Sequence, residues 1–240
     1  MKKLFLGAAA IALSGCSWLG LGDKQVHHDR SSYGTYAQKK DKCCVGGKSL
    51  SRWNAELAGG IEEFVSGDII SGGNENAATL EYGDVYGAAT RIEPAVSYAL
   101  KPNRKVKLSG FYKTASAEDQ TVIGTVNDTP ITGQFTDYKS YGAELGLRQY
   151  FGIKRAPLVK SIRPYVEGNV GIANVDDIDL LGLNDTATPR DVRLYDGGWV
   201  PTASGMIGIE TPVLNRLTLG LETGLRYQHK LSSNLSLIHI

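Results

Sequence analysis

The stretch RLTLGLETGLRYQ, residues 216–228, alternates between apolar and polar side chains with a period of two. One parity holds Leu217, Leu219, Leu221, Leu225 and Tyr227, interrupted by Thr223, and the other holds Thr218, Gly220, Glu222, Gly224, Arg226 and Gln228. Successive side chains of a strand point to opposite faces, so this pattern predicts a two-faced β-strand. The run exceeds the ~5–6 residues of an ordinary soluble strand and matches the ~9–11 that a tilted strand needs to cross a bilayer. We predict that its apolar face meets lipid and that Glu222 and Arg226 point into a barrel.

Composition permits a membrane barrel without requiring one. The chain has 240 residues with 42% hydrophobic content, which predicts no series of helical membrane spans. The formal net charge of +1 gives no electrostatic basis for nucleic-acid binding. The 29 glycines suit a tightly curved sheet, and the 12 tyrosines fit a boundary between polar and apolar surroundings.

The sequence predicts that residues 1–15 are a signal peptide. Two lysines precede a short apolar run, residues 4–13, which is too short to span a membrane as a helix. The run ends in LSGC, residues 13–16, which resembles the lipobox of bacterial lipoproteins. The resemblance implies cleavage before Cys16 and lipidation of Cys16, and the Ser17 that follows implies the outer membrane. An ordinary secretory signal with a chance cysteine is the alternative.

Residues 16–50 have no sustained period and predict a flexible, lipidated periplasmic tether. Cys43 and Cys44 are adjacent, and a disulfide between neighbours is strained, so we expect either thiol to bridge to another chain instead. The spacing of these cysteines from His27 and His28 matches no standard metal site. We therefore expect no metal and no cofactor.

The remainder, residues 51–240, predicts a β-barrel. Seven alternating runs cover residues 53–64, 86–100, 105–113, 138–151, 164–175, 199–211 and 216–228. Long connections, residues 66–85, 114–137 and 176–198, alternate with short or moderate ones, as in outer-membrane barrels with long extracellular loops and short periplasmic turns. This order puts the first strand's start on the periplasmic side, which agrees with the tether.

Aromatic side chains on the apolar parity mark both ends of the predicted strands. Such rings form girdles where barrels meet the membrane interfaces. The predicted girdle consists of Trp53, Tyr98 and Phe151 at the periplasmic end and Tyr86, Tyr112, Tyr141, Trp199 and Tyr227 at the extracellular end.

This pattern resembles the OmpA-like family of small, porin-like outer-membrane β-barrels. The resemblance implies an all-β, eight-stranded, antiparallel up-and-down transmembrane barrel. The strand phases place ten charged residues in its lumen: Glu56, Arg91, Glu93, Lys107, Glu144, Arg148, Glu167, Glu210, Glu222 and Arg226. Eight strands enclose just enough room for side chains, which favours a plug of paired charges over a narrow porin-like channel. We expect a structural or surface-presentation role, with any ligand specificity in the long loops.

Two other classes of protein are alternatives to this interpretation. A lipid A-modifying enzyme needs a base beside a nucleophile, and only His229 lies near the predicted extracellular rim, so we expect no enzyme. A soluble lipocalin-like barrel would turn its apolar face inward around a ligand. The glycines that share the polar face with Glu and Arg favour a cramped, charged interior instead.

The C-terminus departs from the family pattern. After Lys230 the chain continues only to Ile240 and ends in LSLIHI, residues 235–240. This ending resembles translated sequencing-adaptor read-through, and we expect the last strand to be truncated or abnormal.

Overall fold

The protein is all-β. A computed structural model describes the backbone of residues 10–16 and residues 52–70, 79–126, 129–151, 162–184, 189–214 and 217–229. The strands in these ranges are β1 (Ala10–Cys16), β2 (Trp53–Glu62), β3 (Asp68–Ile70), β4 (Leu80–Glu81), β5 (Ala89–Lys101), β6 (Arg104–Ala115), β7 (Thr121–Val126), β8 (Thr129–Phe135), β9 (Tyr138–Tyr150), β10 (Arg163–Val175), β11 (Ile178–Leu183), β12 (Arg190–Tyr195), β13 (Gly198–Leu214) and β14 (Leu217–Gln228). One helical turn, α1 (Tyr82–Val85), joins them. Within these ranges no helix has the length and apolar character needed to cross a membrane.

Seven long strands form one curled antiparallel sheet of order β14-β13-β10-β9-β6-β5-β2. Each long strand is therefore paired with the long strand that follows it along the chain. The β9–β10 pairing runs from Tyr150 opposite Tyr165 to Ser140 opposite Val175 without a register shift. The seven strands coincide with the seven alternating runs to within three residues at each end, so this part of the prediction is confirmed.

The backbone of β1 lies between the two edges of this sheet. It pairs antiparallel with β14, where Ala10 faces Glu222, and with β2, where Cys16 faces Asn54. In the predicted domain organisation this segment is the end of the signal peptide, and its cleavage and lipidation stay predictions. Cys43 and Cys44 of the tether, and residues 230–240 with the predicted abnormal last strand, lie outside the described residues.

Alternation along each strand decides which side chains are covered. In β9, Leu145 and Leu147 are 54% and 48% exposed, whereas Glu144 and Arg148, which flank them in sequence, are each 3% exposed. The apolar parity thus covers the outer face of the curled sheet and the polar parity its inner face. This is the reverse of a soluble sheet, which buries its apolar face.

Glycine makes room on the inner face for large polar side chains. Gly208 of β13 pairs with Tyr165 of β10. A Cβ at Gly208 would lie 2.8 Å from Tyr165 Cε1, closer than side-chain atoms approach in practice. The absent side chain leaves the Tyr165 ring space to lie across the sheet, and its hydroxyl donates to Glu222 Oε2 at 2.9 Å.

The three long connections fold into a second layer, which the sequence did not predict. β7 and β8 join β11 and β12 in a four-stranded sheet of order β12-β11-β8-β7, and β3 pairs with β4. We call these strands together with α1 the cap. Its apolar side chains form a buried core with the adjoining ends of the long strands, and this core includes Ile69, Val85, Tyr86, Ile123, Phe135, Tyr138, Val175, Ile178, Leu180 and Leu194. The cap core covers one end of the curled sheet.

Candidate functional site

The inner face of the curled sheet carries a network of paired charges. Seven glutamates and six Lys or Arg residues take part, and each side chain is at most 16% exposed. The members are Glu56, Glu62, Glu93, Glu144, Glu167, Glu210, Glu222, Arg91, Lys105, Lys107, Lys113, Arg148 and Arg226. We call this set the lumen network.

The half of the lumen network nearest the cap centres on two guanidinium groups. Arg91 Nη2 lies 2.8 Å from Glu93 Oε2 and 3.0 Å from Glu144 Oε2. Arg226 Nη1 lies 2.9 Å from the same Glu144 oxygen, and its Nη2 lies 3.3 Å from Glu93 Oε2. The Arg226 Nε also lies 2.8 Å from Glu62 Oε1, as an ion pair without hydrogen-bond geometry. Carboxylates from β2, β5 and β9 thus hold β5 and β14 together.

The other half centres on Arg148. Its Nε donates to Glu167 Oε2 at 2.5 Å, and its Nη1 pairs with Glu210 and lies 3.3 Å from Glu56 Oε2. Its Nη2 lies 4.0 Å from Glu222 Oε2. One side chain of β9 therefore contacts carboxylates from β2, β10, β13 and β14.

Lys107 joins the two halves. Its Nζ lies 2.9 Å from Glu93 Oε1 in the half near the cap and also pairs with Glu167 in the other half. The lumen network is consequently continuous along the sheet.

Neutral hydroxyl groups add hydrogen bonds to carboxylates that the cations of the lumen network also contact. Tyr150 donates to Glu210 at 2.9 Å, Tyr165 to Glu222 at 2.9 Å and Ser97 to Glu56 at 2.5 Å. The guanidinium carbon of Arg148 also lies 4.3 Å from the centre of the Tyr165 ring. These contacts supply partners that a buried carboxylate would otherwise take from water.

The lumen network fills the interior with side chains that are paired with one another. Each carboxylate of the network has a cation within 4.0 Å. A cavity of about 20 Å³ beside Glu62, Glu93, Arg91 and Arg226 has room for about one water molecule. Removing one partner from such a pair leaves a buried charge uncompensated, which destabilises a protein by about 3–5 kcal/mol.

All ten charged residues predicted for the lumen lie in this network. Nine of them are at most 7% exposed, and the Arg226 side chain is 16% exposed. Glu62, Lys105 and Lys113 were missed as site residues, although each shares a strand parity with a predicted neighbour. Tyr150 and Tyr165 were also missed, because an aromatic ring among the polar side chains of a strand looks like a break in the alternation.

Six residues of the predicted girdle lie exposed on the outer face: Trp53, Tyr112, Tyr141, Phe151, Trp199 and Tyr227, with exposed fractions of 47–62%. Tyr98 is half-buried, because its ring packs against Trp53 with the ring centres 4.9 Å apart. The Trp53–Tyr98 pair and the Tyr141–Trp199 pair lie at opposite ends of the curled sheet.

The prediction for Tyr86 was wrong. Tyr86 is 3% exposed and lies in the cap core, not on the outer face. It precedes β5, so the parity of that strand does not reach it, and its ring packs on Tyr82 and Tyr138. Its hydroxyl donates to the carbonyl oxygen of Thr136 at 3.0 Å, and burial raises the pKa of Tyr86 well above its usual range.

Hydrogen bonds and ion pairs stabilise the cap. Tyr195 donates its hydroxyl to the carbonyl oxygen of Ile69 at 2.7 Å, and burial followed by the charge of Asp68 raises the pKa of Tyr195. On the exposed side, Arg193 Nε donates to Asp179 Oδ1 at 3.2 Å, and its Nη2 lies 3.2 Å from Asp177 Oδ2. The hydrogen bond to Asp179, then the charges of Asp177 and Asp179, raise the pKa of Arg193.

His229, the residue considered for catalysis, lies on the exposed end of β14. Its Nδ1 is 3.2 Å from the hydroxyl of Tyr227. In the part of the chain that is described, no group of three or more His, Cys, Asp or Glu side chains is arranged to hold a metal ion. His27 and His28 lie outside the described residues.

Comparison with protein-family models, with curated proteins and with solved structures gives no match to the chain.

Proposed function

We propose that the protein is an integral outer-membrane β-barrel of eight strands. Its lumen is filled by paired charges, and its role is to support the envelope and to present the cap at the cell surface. The observation that carries this proposal is the apolar outer face of the curled sheet, which surrounds a charged inner face.

The outer face exposes more large apolar side chains than water tolerates on a monomer. Its exposed members include Leu57, Ile92, Leu108, Leu145, Val170, Ile172, Ile207, Leu221 and Leu225, with exposed fractions of 50–62%. Soluble monomers rarely expose contiguous apolar patches beyond a few hundred Å². Acyl chains are the surroundings in which such a surface is stable.

The height of this surface fits a bilayer. From Tyr141 to Phe151, ten steps along and just past β9, the strand rises about 33 Å at ~3.3 Å per residue. A tilt of ~45° reduces this to roughly 23 Å, close to the ~25 Å apolar band of outer-membrane barrels.

The lumen network favours a plug over the alternatives. A lipocalin-like protein would line its interior with apolar side chains for a ligand, whereas here the inner face holds ion pairs. A porin-like channel needs open space along its axis, whereas Arg148, Lys107 and Arg91 reach across the inner face to several strands. The cap core adds a second, apolar obstruction at one end.

An eighth strand would complete the barrel between β2 and β14, where the backbone of β1 lies. Cleavage before Cys16 removes all of β1 but its last residue, so in the mature protein another segment takes this place. Closure satisfies the backbone hydrogen-bonding groups of both edges, which is required of a sheet within a bilayer. The short connections then face the periplasm, together with the lipidated tether at Cys16, and the cap faces the cell exterior.

Fractionation tests the proposal. The full-length chain is produced in a Gram-negative host beside a variant whose residues 1–16 are replaced by an unlipidated secretory signal. Both proteins are expected to stay with outer membranes through carbonate and high-salt washes and to dissolve in mild detergent. Release of the unlipidated variant by carbonate alone, while the lipidated protein stays, would show a soluble domain held only by its anchor.

A further inference from the structure

The two ends of the curled sheet carry opposite charge. The connections at the cap end, residues 66–85, 116–137 and 176–197, contain fourteen Asp or Glu and two Arg. The connections at the other end, residues 101–104, 151–163 and 212–216, contain seven Lys or Arg and no Asp or Glu. Charges of one sign at one end create a local potential that attracts ions of the opposite sign.

Two basic side chains at this end, Arg104 and Arg163, are positioned by neutral partners. Arg104 donates its Nε to Gln149 Oε1 at 2.6 Å. Arg163 donates an Nη2 hydrogen to the carbonyl oxygen of Pro102 at 3.1 Å, and its guanidinium lies 4.2 Å from the centre of the Tyr150 ring. Among the described residues, no carboxylate pairs with Lys101, Arg104 or Arg163. Their charges are oriented but not neutralised within that part of the chain.

Two of these side chains border the apolar outer face. Arg104 is exposed and has the strand parity of Leu108, which is 60% exposed. Lys101 is exposed and lies directly opposite Arg104 in the β5–β6 pairing, after a register shift. In the adjacent strand β2, Trp53 packs on Tyr98, and such rings mark the level of lipid headgroups. A basic side chain at this level lies within reach of lipid phosphates.

We propose that Lys101 and Arg104 form a binding site for the phosphate of anionic phospholipids in the periplasmic leaflet. The inference rests on the proposed function, because it requires the outer face to lie in a bilayer. Lipid is the expected source of the phosphate, since the site is continuous with the apolar surface that contacts acyl chains. A guanidinium fork held at one nitrogen keeps its other N–H groups for two phosphate oxygens. The acidic connections at the cap end disfavour the same lipid there.

Tryptophan quenching by brominated lipids tests this site. Full-length protein is refolded into phosphatidylcholine vesicles that contain phosphatidylglycerol, and either lipid is brominated in turn. Trp18→Phe/Trp199→Phe leaves Trp53 as the probe beside the proposed site, and Trp18→Phe/Trp53→Phe leaves Trp199 at the cap end. The ratio of quenching by the two lipids gives the local preference for the anionic lipid.

We expect a several-fold preference for phosphatidylglycerol at Trp53 and none at Trp199. A basic group near an anionic surface contributes about fivefold to such a preference. Arg104→Gln should lower the preference at Trp53 by roughly that factor, while Arg104→Lys keeps most of it. Lys139→Gln is the matched control, because Lys139 is an exposed residue at the cap end of β9 and loses the same charge.

Two results would overturn the inference, and they are distinguishable. Equal quenching by both lipids at Trp53, or equal effects of Arg104→Gln and Lys139→Gln, would contradict the proposed lipid site. Neither result would contradict the proposed barrel. Absence of quenching by either lipid at both tryptophans would show that the outer face is not in the bilayer, and would overturn the proposed function with it.

Discussion

Arg148 contacts four glutamates, so it is the single residue on which the inner face depends most. Arg148→Leu keeps an apolar stem but leaves Glu56, Glu167 and Glu210 short of one cation in a covered site. We expect the free energy of unfolding to fall by about 3–5 kcal/mol, measured by urea titration of the protein refolded in vesicles.

Arg193→Leu is the matched control for this substitution. Arg193 also contacts several carboxylates, but its side chain is 52% exposed, so water replaces the lost contacts. We expect almost no change in unfolding for this variant. Equal losses for the two variants would mean that the Arg148 ion pairs are no more important than surface ones.

The apolar outer face is expected to reject charged side chains near its middle more strongly than near its edge. Leu145 lies midway between Tyr141 and Phe151, and Val213 lies near the short-connection end of β13, and both are more than half exposed. If the outer face lies in a bilayer, Leu145→Arg should destabilise the refolded protein by about 2–4 kcal/mol, and Val213→Arg by about 0–1 kcal/mol. Urea titration in vesicles measures both. In a soluble protein the two exposed positions would tolerate arginine alike, so equal effects would contradict the lipid-facing assignment.

At the scale of the strand, the pairing of β10 with β13 depends on a glycine opposite a tyrosine. Gly208→Ala places a methyl group against the Tyr165 ring, which has to move away from Glu222. Overpacking of this kind destabilises by about 1–3 kcal/mol. Gly205→Ala, three residues away on the same strand, meets no atom within 4 Å and should be neutral or slightly stabilising. The unfolding midpoints of the two variants in urea check the difference, and a loss at Gly205 as large as that at Gly208 would contradict the packing argument.

The strands show which parts of the fold could be predicted from the sequence. The seven long strands could be predicted because each keeps a period of two over nine residues or more, and the ten lumen charges followed from the same parity. The cap strands could not, because β7, β8, β11 and β12 have only six or seven residues each and lie among Gly, Asn, Asp and Thr that read as loop. Their order arises from contacts such as Leu180 with Gly133, between hairpins far apart in sequence. Tyr86 was misplaced for the same reason, because its ring packs in the cap core.

At the scale of the whole molecule, two obstructions lie in series along the axis of the curled sheet. The lumen network joins all seven long strands across the inner face, and the cap core closes over its end with Val85, Tyr86, Phe135 and Tyr138. We expect the first to exclude ions by filling the space with paired side chains, and the second to exclude them as an apolar barrier. A substitution that loosens only one of them should leave the other in place.

Planar-bilayer recording distinguishes this arrangement from a pore. We expect the refolded full-length protein to give no discrete conductance steps, under conditions in which a porin in the same membrane does. Lys107→Ala removes the side chain that joins the two halves of the lumen network through Glu93 and Glu167, yet we expect it also to give no steps, because neither glutamate belongs to the cap core, which keeps its own contacts. Steps from the unmodified protein that grow with salt concentration would contradict the plug and favour a porin-like channel. Steps from Lys107→Ala alone would mean that the cap lets ions pass and that only the lumen network closes the interior.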